Sequence, residues 1–160
     1  MRRGQACPTG SEHLFPQRAR SVFGLVDAAA LQFRHVLDVS FTARIGTLLV
    51  GSVRQLPVCI GETPALMLGP LTVEPPFRSR GVGHALLERA INDARAKGHR
   101  LIVLVGDEPY YARVGFKPVA KGRMTMPGPV DYSRLLVLEL VDGAFEGVSG
   151  PIQPDWSKAI

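Results

Sequence analysis

Two cysteines, Cys7 and Cys59, are all that the 160 residues contain. They lie too far apart in the chain for a metal knuckle or a redox pair, and free thiols in a reducing compartment are expected. Long apolar runs are missing as well. None approaches the length of a membrane span, so no membrane partner is expected. The N-terminal stretch "MRRGQACPTGSEHLFPQRARS" lacks the apolar core of a secretory signal. It is arginine-rich and acid-poor, as a transit peptide or a loose leader would be. Runs of five or more like charges are absent. The net charge is nevertheless +5, which admits nucleic acid, an acidic partner or a phosphorylated cofactor. Four Arg against one Glu in the first 20 residues supply much of that excess. The basic residues are not interleaved with aromatics, so no specific nucleic-acid partner is expected.

What is present suits one globular domain. Residues 1–17 read as a tail, 18–150 as the domain and 151–160 as a C-terminal tail. Residues 18–37 have room for one or two short helices. "VSFTARI" (39–45) alternates as a strand does, and "TLLVGSVRQLPV" (47–58) follows Gly46 as the second arm of a hairpin. "ALMLGPLTV" (65–73) is a third strand, with Gly69-Pro70 expected to break or bulge it. The clearest helix covers 80–97. Val82, Ala85, Leu86, Ala90, Ile91 and Ala94 recur on one face, and Gly98 is the stop. "RLIVLVG" (100–106) is a continuous apolar run, as in a strand buried on both faces. "EPYYARVGF" (108–116) fits a short helix ending at Gly115, and "RLLVLELV" (134–141) a last strand. The remainder, "DGAFEGVSGPIQPDWSKAI", reads as irregular. The order predicts a mixed α/β sheet with one parallel crossover.

That crossover contains "EPPFRSRGVGHALLERA" (74–90), where two arginines and two glycines stand at a helix start. A strand, a glycine turn and a helix present free backbone N–H groups, which suit a phosphate. Glycine lets the backbone approach a ligand, and Arg78 and Arg80 add positive charge. The dinucleotide fingerprint fails at Leu86, and no Gly-Lys-Ser/Thr ending makes a P-loop. Arg-x-x-Gly-x-Gly is met in full by Arg78, Gly81 and Gly83. An ordinary glycine turn with solvated arginines remains the competing reading of these residues.

The longer stretch "LGPLTVEPPFRSRGVGHALLERAINDARAKGH" resembles motif A of the GNAT N-acetyltransferase superfamily. Leu71, Val73, Pro75, Arg78, Gly81 and Gly83 carry the match. Tyr111, Gly115 and Phe116 resemble the Tyr-x-x-x-Gly-Phe signature of the same superfamily. "LVGDEPYYARVGF" and "RLLVLELVDGAFEGVSG" are similar to its YhbS-like branch. The resemblance covers roughly 39–150. It implies a GNAT-like mixed sheet splayed between two parallel strands, with the N-terminal elements shortened within 1–38.

The resemblance also implies an acetyl-CoA-dependent N-acetyltransferase and no metal. The acceptor would be an amine-bearing small molecule or protein. A cytoplasmic location and a homodimer are further expectations. By the same resemblance Leu71, Thr72 and Val73 pair with pantetheine. The turn Arg78, Ser79, Arg80, Gly81, Val82, Gly83 and His84 holds the pyrophosphate. Tyr111 is implied as the general acid for the departing thiolate, against a packing role; Tyr110 is read as packing. Glu62, Glu74 and Asp107 are the carboxylates weighed as a base, and none is assigned. The asparagine usual after the second cofactor strand is replaced by Asp107. A non-catalytic acyl-CoA-binding module is the alternative function.

Overall fold

Strand formation follows the apolar pattern, and the turns between strands fall on glycine. The structure, a computed structural model, describes residues 39–155. The helices expected within 18–37 and the shortened N-terminal elements lie outside them. β1 (Phe41–Ile45) turns at Gly46 into β2 (Leu48–Ile60), and Gly61 leads into β3 (Thr63–Val73). Both glycines have left-handed backbone, with φ of +60° and +57°, which glycine adopts without a Cβ penalty. α1 (Val82–Ala96) crosses over to β4 (Leu101–Val105). α2 (Glu108–Tyr111), β5 (Lys117–Pro118), β6 (Met124–Thr125), β7 (Leu135–Glu139) and β8 (Gly150–Pro154) complete the order.

The strands form one mixed sheet in the order β5-β7-β4-β3-β2-β8-β6. One edge of β2 is shared: β1 pairs with its first half and β8 with its last residues. β3 and β4 are the parallel pair expected of the crossover. The two faces of β4 explain its unbroken apolar run. Ile102 and Leu104 face α1, while Leu101 and Val103 join the opposite cluster with Met124 and Ile152. The buried stripe of α1 is Gly83, Leu86, Leu87, Ala90, Ile91 and Ala94. Ala85, expected inside, is exposed, and Leu87 takes its place. Spacings of three and four residues from Gly83 generate this stripe. Within the core, the Gln55 amide donates to the carbonyls of Val39 and Ala90, each at 3.0 Å, and so ties α1 to the sheet.

Three sequence expectations are corrected. The segment after 141, read as irregular, contains β8. Its prolines mask it as loop, yet Gly61 N donates to Pro151 O and Asp155 N to Pro57 O. β5 and β6 went unread because two residues carry no periodicity. Cys59, buried in β2, is disulfide-bonded rather than a free thiol. Spacing along the chain did not predict this, because a disulfide depends on distance in space. Cys7 lies outside the described residues.

Candidate active site

The site begins where two parallel strands part. Leu66 pairs with Ile102 and Met67 with Val103, and no further β3–β4 pair follows. β3 nevertheless runs on to Val73, held among the described residues by β2 alone. The separation follows a bulge. Val53 faces Leu71 and Gln55 faces Leu68, so Gly69 and Pro70 stand opposite the single Arg54. Proline has no N–H to give a ladder, and an extra residue bends its strand. The expected bulge is therefore present, one residue beyond the last parallel pair. Leu71, Thr72 and Val73 beyond it line a cleft of about 920 Å³.

The turn after β3 forms one wall. Pro75–Phe77 make a single 3-10 turn, and Arg78 Nε donates back to Val73 O at 3.1 Å. Ser79 has a φ of +59°, and Gly81, the N-cap of α1, a φ of +82°. No side chain caps α1 and no acidic residue stands in its first turn. The bond from Ala85 N to Gly81 O is the first helical turn closed. The N–H groups ahead of it have no helical acceptor and lie at the positive end of the helix dipole. Arg78, Ser79, Gly81, Gly83 and His84 all line the cleft, with His84 paired to Glu88 at 3.2 Å. The side chains of Arg80 and Val82 do not line it. Arg80 stacks over Phe77, 5.9 Å from the ring centre, and Val82 packs on the α1 core.

Gly81→Ala tests this wall. A Cβ there meets nothing within 4 Å, so the cost comes from backbone alone. A loss of about 1–2 kcal/mol in unfolding free energy is expected from left-handed strain, read from denaturant midpoints.

The opposite wall comes from the end of β4. Asp107 precedes α2 and pairs with Arg134 at 3.0 Å. Tyr110 and Tyr111 follow, and both line the cleft with Gly106 and Arg134. The spacing of the second motif acquires a physical reason. Gly115 ends the short helix with φ of +98°, and Phe116 then enters the core at 2% exposure. Phe116 stacks edge-on against Tyr111 at 5.8 Å, and Tyr110 makes a second edge contact with it at 5.1 Å. Burial is the main cause that lifts the Tyr111 phenol above its ordinary range; Tyr110 and Asp107 add to it, and Arg134 opposes it. A buried phenol resists ionisation because its charged form loses hydration.

Of the three carboxylates considered as a base, only Asp107 lines the cleft, and Arg134 holds it. Glu62 sits in the β2–β3 turn and Glu74 at the exit of β3, both exposed and away from the lining. Sequence reasoning missed Gly106, Arg134 and the cleft-facing position of Tyr110. A small residue ending a buried strand, in Val105-Gly106-Asp107, was the available signal for the first.

A family model described as the acetyltransferase (GNAT) domain matches residues 38–118, just over half of the chain. The chain belongs to the GNAT acetyltransferase family. It is 28% identical over 107 residues to the uncharacterized N-acetyltransferase YhbS of Escherichia coli K12. That alignment covers 66% of this chain and 64% of the relative, so the chain spans less than two thirds of the curated relative. Among solved structures, E. coli YhbS in complex with CoA superposes with a TM-score of 0.66 at 21% identity, covering 82% of this chain and 83% of the other. A GNAT acetyltransferase from Brucella melitensis in complex with acetyl-CoA gives 0.52 at 27% identity, covering 77% of each chain. The splayed GNAT sheet expected from the sequence is the sheet observed.

Proposed function

We propose that this GNAT domain is an acetyl-CoA-dependent N-acetyltransferase acting on a primary amine of a small molecule or protein. One observation carries the reading. A cleft opens where β3 leaves β4, with an uncapped helix start on one wall and, on the other, Tyr111, whose phenol burial makes harder to ionise. The relatives crystallised with CoA and acetyl-CoA support the choice of ligand. When bound, acetyl-CoA supplies a thioester activated toward amines.

The chain's own residues then divide the work. The free edge of Leu71–Val73 offers backbone groups to an extended amide-bearing arm, as a strand would. The first-turn N–H groups of α1, with Arg78, seat a diphosphate. Tyr111 holds a proton at Oη for a departing thiolate. The incoming amine must be neutral to attack, and among the described residues the one carboxylate in the cleft, Asp107, is ion-paired. We assign no side-chain base and leave that proton to water. The domain in this reading runs from residue 18, and β8 carries its C-terminal end from 150 to Pro154. A cytoplasmic location belongs to the same proposal, because acetyl-CoA is an intracellular metabolite. The Cys59 disulfide is the observation that weighs against it.

Calorimetry with acetyl-CoA is the test, followed by thiol release across a panel of amines. Saturable binding in the micromolar range and turnover with at least one amine are expected. No heat at high micromolar acetyl-CoA overturns the proposal. Asp107, the carboxylate that lines the cleft among the described residues, is tied to Arg134, and this pairing favours a second reading, a non-catalytic acyl-CoA-binding module. Binding without turnover of any amine would select it.

A further inference from the structure

Gly83 raises a question that the glycine turn does not answer. Its backbone is helical, outside the left-handed set, so no φ requirement calls for glycine. Glycine in a helix costs about 1 kcal/mol relative to alanine. Space supplies the reason. A Cβ on Gly83 would overlap the hydroxyl oxygen of Tyr110, closer than any real Cβ contact. The next atoms, Val73 Cγ2 at 3.6 Å and Tyr110 Cζ at 3.7 Å, are ordinary neighbours. One oxygen therefore fills the room that the missing side chain leaves.

That oxygen reaches across the cleft from α2 to the first turn of α1. Tyr110 is 39% exposed, and among the described residues its hydroxyl makes no hydrogen bond, which leaves it open to the cleft. Packing against Tyr111 involves the ring and leaves the hydroxyl unexplained. Gly83 and Arg78 line the same cleft. A phenol hydroxyl can donate to an anion there while the backbone N–H groups also donate.

We infer that Tyr110 is a ligand-binding residue: its hydroxyl, seated in the socket left by Gly83, donates a hydrogen bond to a phosphoryl oxygen at the start of α1. The inference rests on the acyl-CoA reading. It makes Gly83 a partner of Tyr110 rather than a backbone approach point alone.

Four proteins test it: wild type, Tyr110→Phe, Gly83→Ala and the double variant. Without ligand, Gly83→Ala is expected to fall short of the gain of about 1 kcal/mol that alanine brings to a helix, because the Tyr110 hydroxyl must leave its place, and to melt below the double variant. The double variant should melt at or above wild type, because removal of the hydroxyl leaves Cζ 3.7 Å from the new methyl. With acetyl-CoA, Tyr110→Phe should bind about tenfold more weakly, the lower range for a hydrogen bond to a charged group. The double variant should keep that weakened affinity despite its higher stability. Phosphorus NMR should show the bound diphosphate resonances displaced between wild type and Tyr110→Phe. A Tyr110→Phe affinity within twofold of wild type, or unchanged phosphorus resonances, overturns the inference while the acyl-CoA reading stands. A double variant that melts no better than Gly83→Ala refutes the socket. Wild-type protein that binds no acetyl-CoA removes the reading and this inference together.

Discussion

Tyr111→Phe is expected to lower kcat by about a hundredfold, the lower range for loss of a general acid, with a much smaller change in acetyl-CoA affinity. The substitution keeps the ring, so its edge contacts with Phe116 and Tyr110 survive. Only the hydroxyl, with the proton it would give, is lost. pH provides a second readout. Burial raises the phenol pKa from its ordinary value of 10.0, so the acid stays protonated from neutral into alkaline solution. In the wild type, the loss of kcat due to Tyr111 ionisation should therefore fall above pH 10, and the Phe variant should lack that limb. The stability sign is also fixed. The folded pKa is raised, so the contribution is complete below the unfolded pKa of about 10 and is lost as pH rises through the folded value. Unfolded chains ionise first, and unfolding free energy should fall on the alkaline side. Single-turnover rates across pH for both proteins measure the first effect. A Phe variant within twofold of wild-type kcat would show that Tyr111 is a packing residue.

The sequence was legible where one element carries enough residues to show a period. The stripe of α1, the hairpin around Gly46 and the doubly buried β4 all met that condition. Strand–turn–helix order then brought Leu71–Val73, Arg78, Gly81 and Gly83 to one cleft, and the Tyr-x-x-x-Gly-Phe spacing supplied its second wall. The parts that were not legible depend on contacts across space. β8 is a strand because β2 has an open edge at Val58–Ile60. Its own residues, Gly-Pro-Ile-Gln-Pro, argue for a loop. Arg80 carries the same charge as Arg78, and only the fold sends one to Phe77 and the other to the carbonyl of Val73. Tyr110 and Tyr111 are adjacent in sequence. Their different surroundings come from Gly83 on one side and Gly106 on the other.

Gly106→Ala should match the activity loss of Tyr111→Phe without touching the hydroxyl. Gly106 is buried, and a Cβ there would overlap the Tyr111 ring at Cε2, with Cδ2 at 2.9 Å and Leu104 Cδ1 at 3.1 Å. Leu104 is fully buried and Phe116 nearly so. The ring therefore yields toward the cleft, and its Oη moves with it. Misplacement of a reacting group by about 1 Å costs on the order of a hundredfold, and the overpacking itself costs about 1–3 kcal/mol of stability. The double variant Gly106→Ala/Tyr111→Phe separates the two effects. Phenylalanine retains both colliding ring carbons, so the stability loss should persist in full. It has no hydroxyl left to misplace, so kcat should fall little below that of Tyr111→Phe alone. Groups that act as one unit give such non-additive losses. Thermal melts and kcat values for the four proteins complete the cycle. Additive losses in kcat would mean that Gly106 acts on the cleft independently of Tyr111.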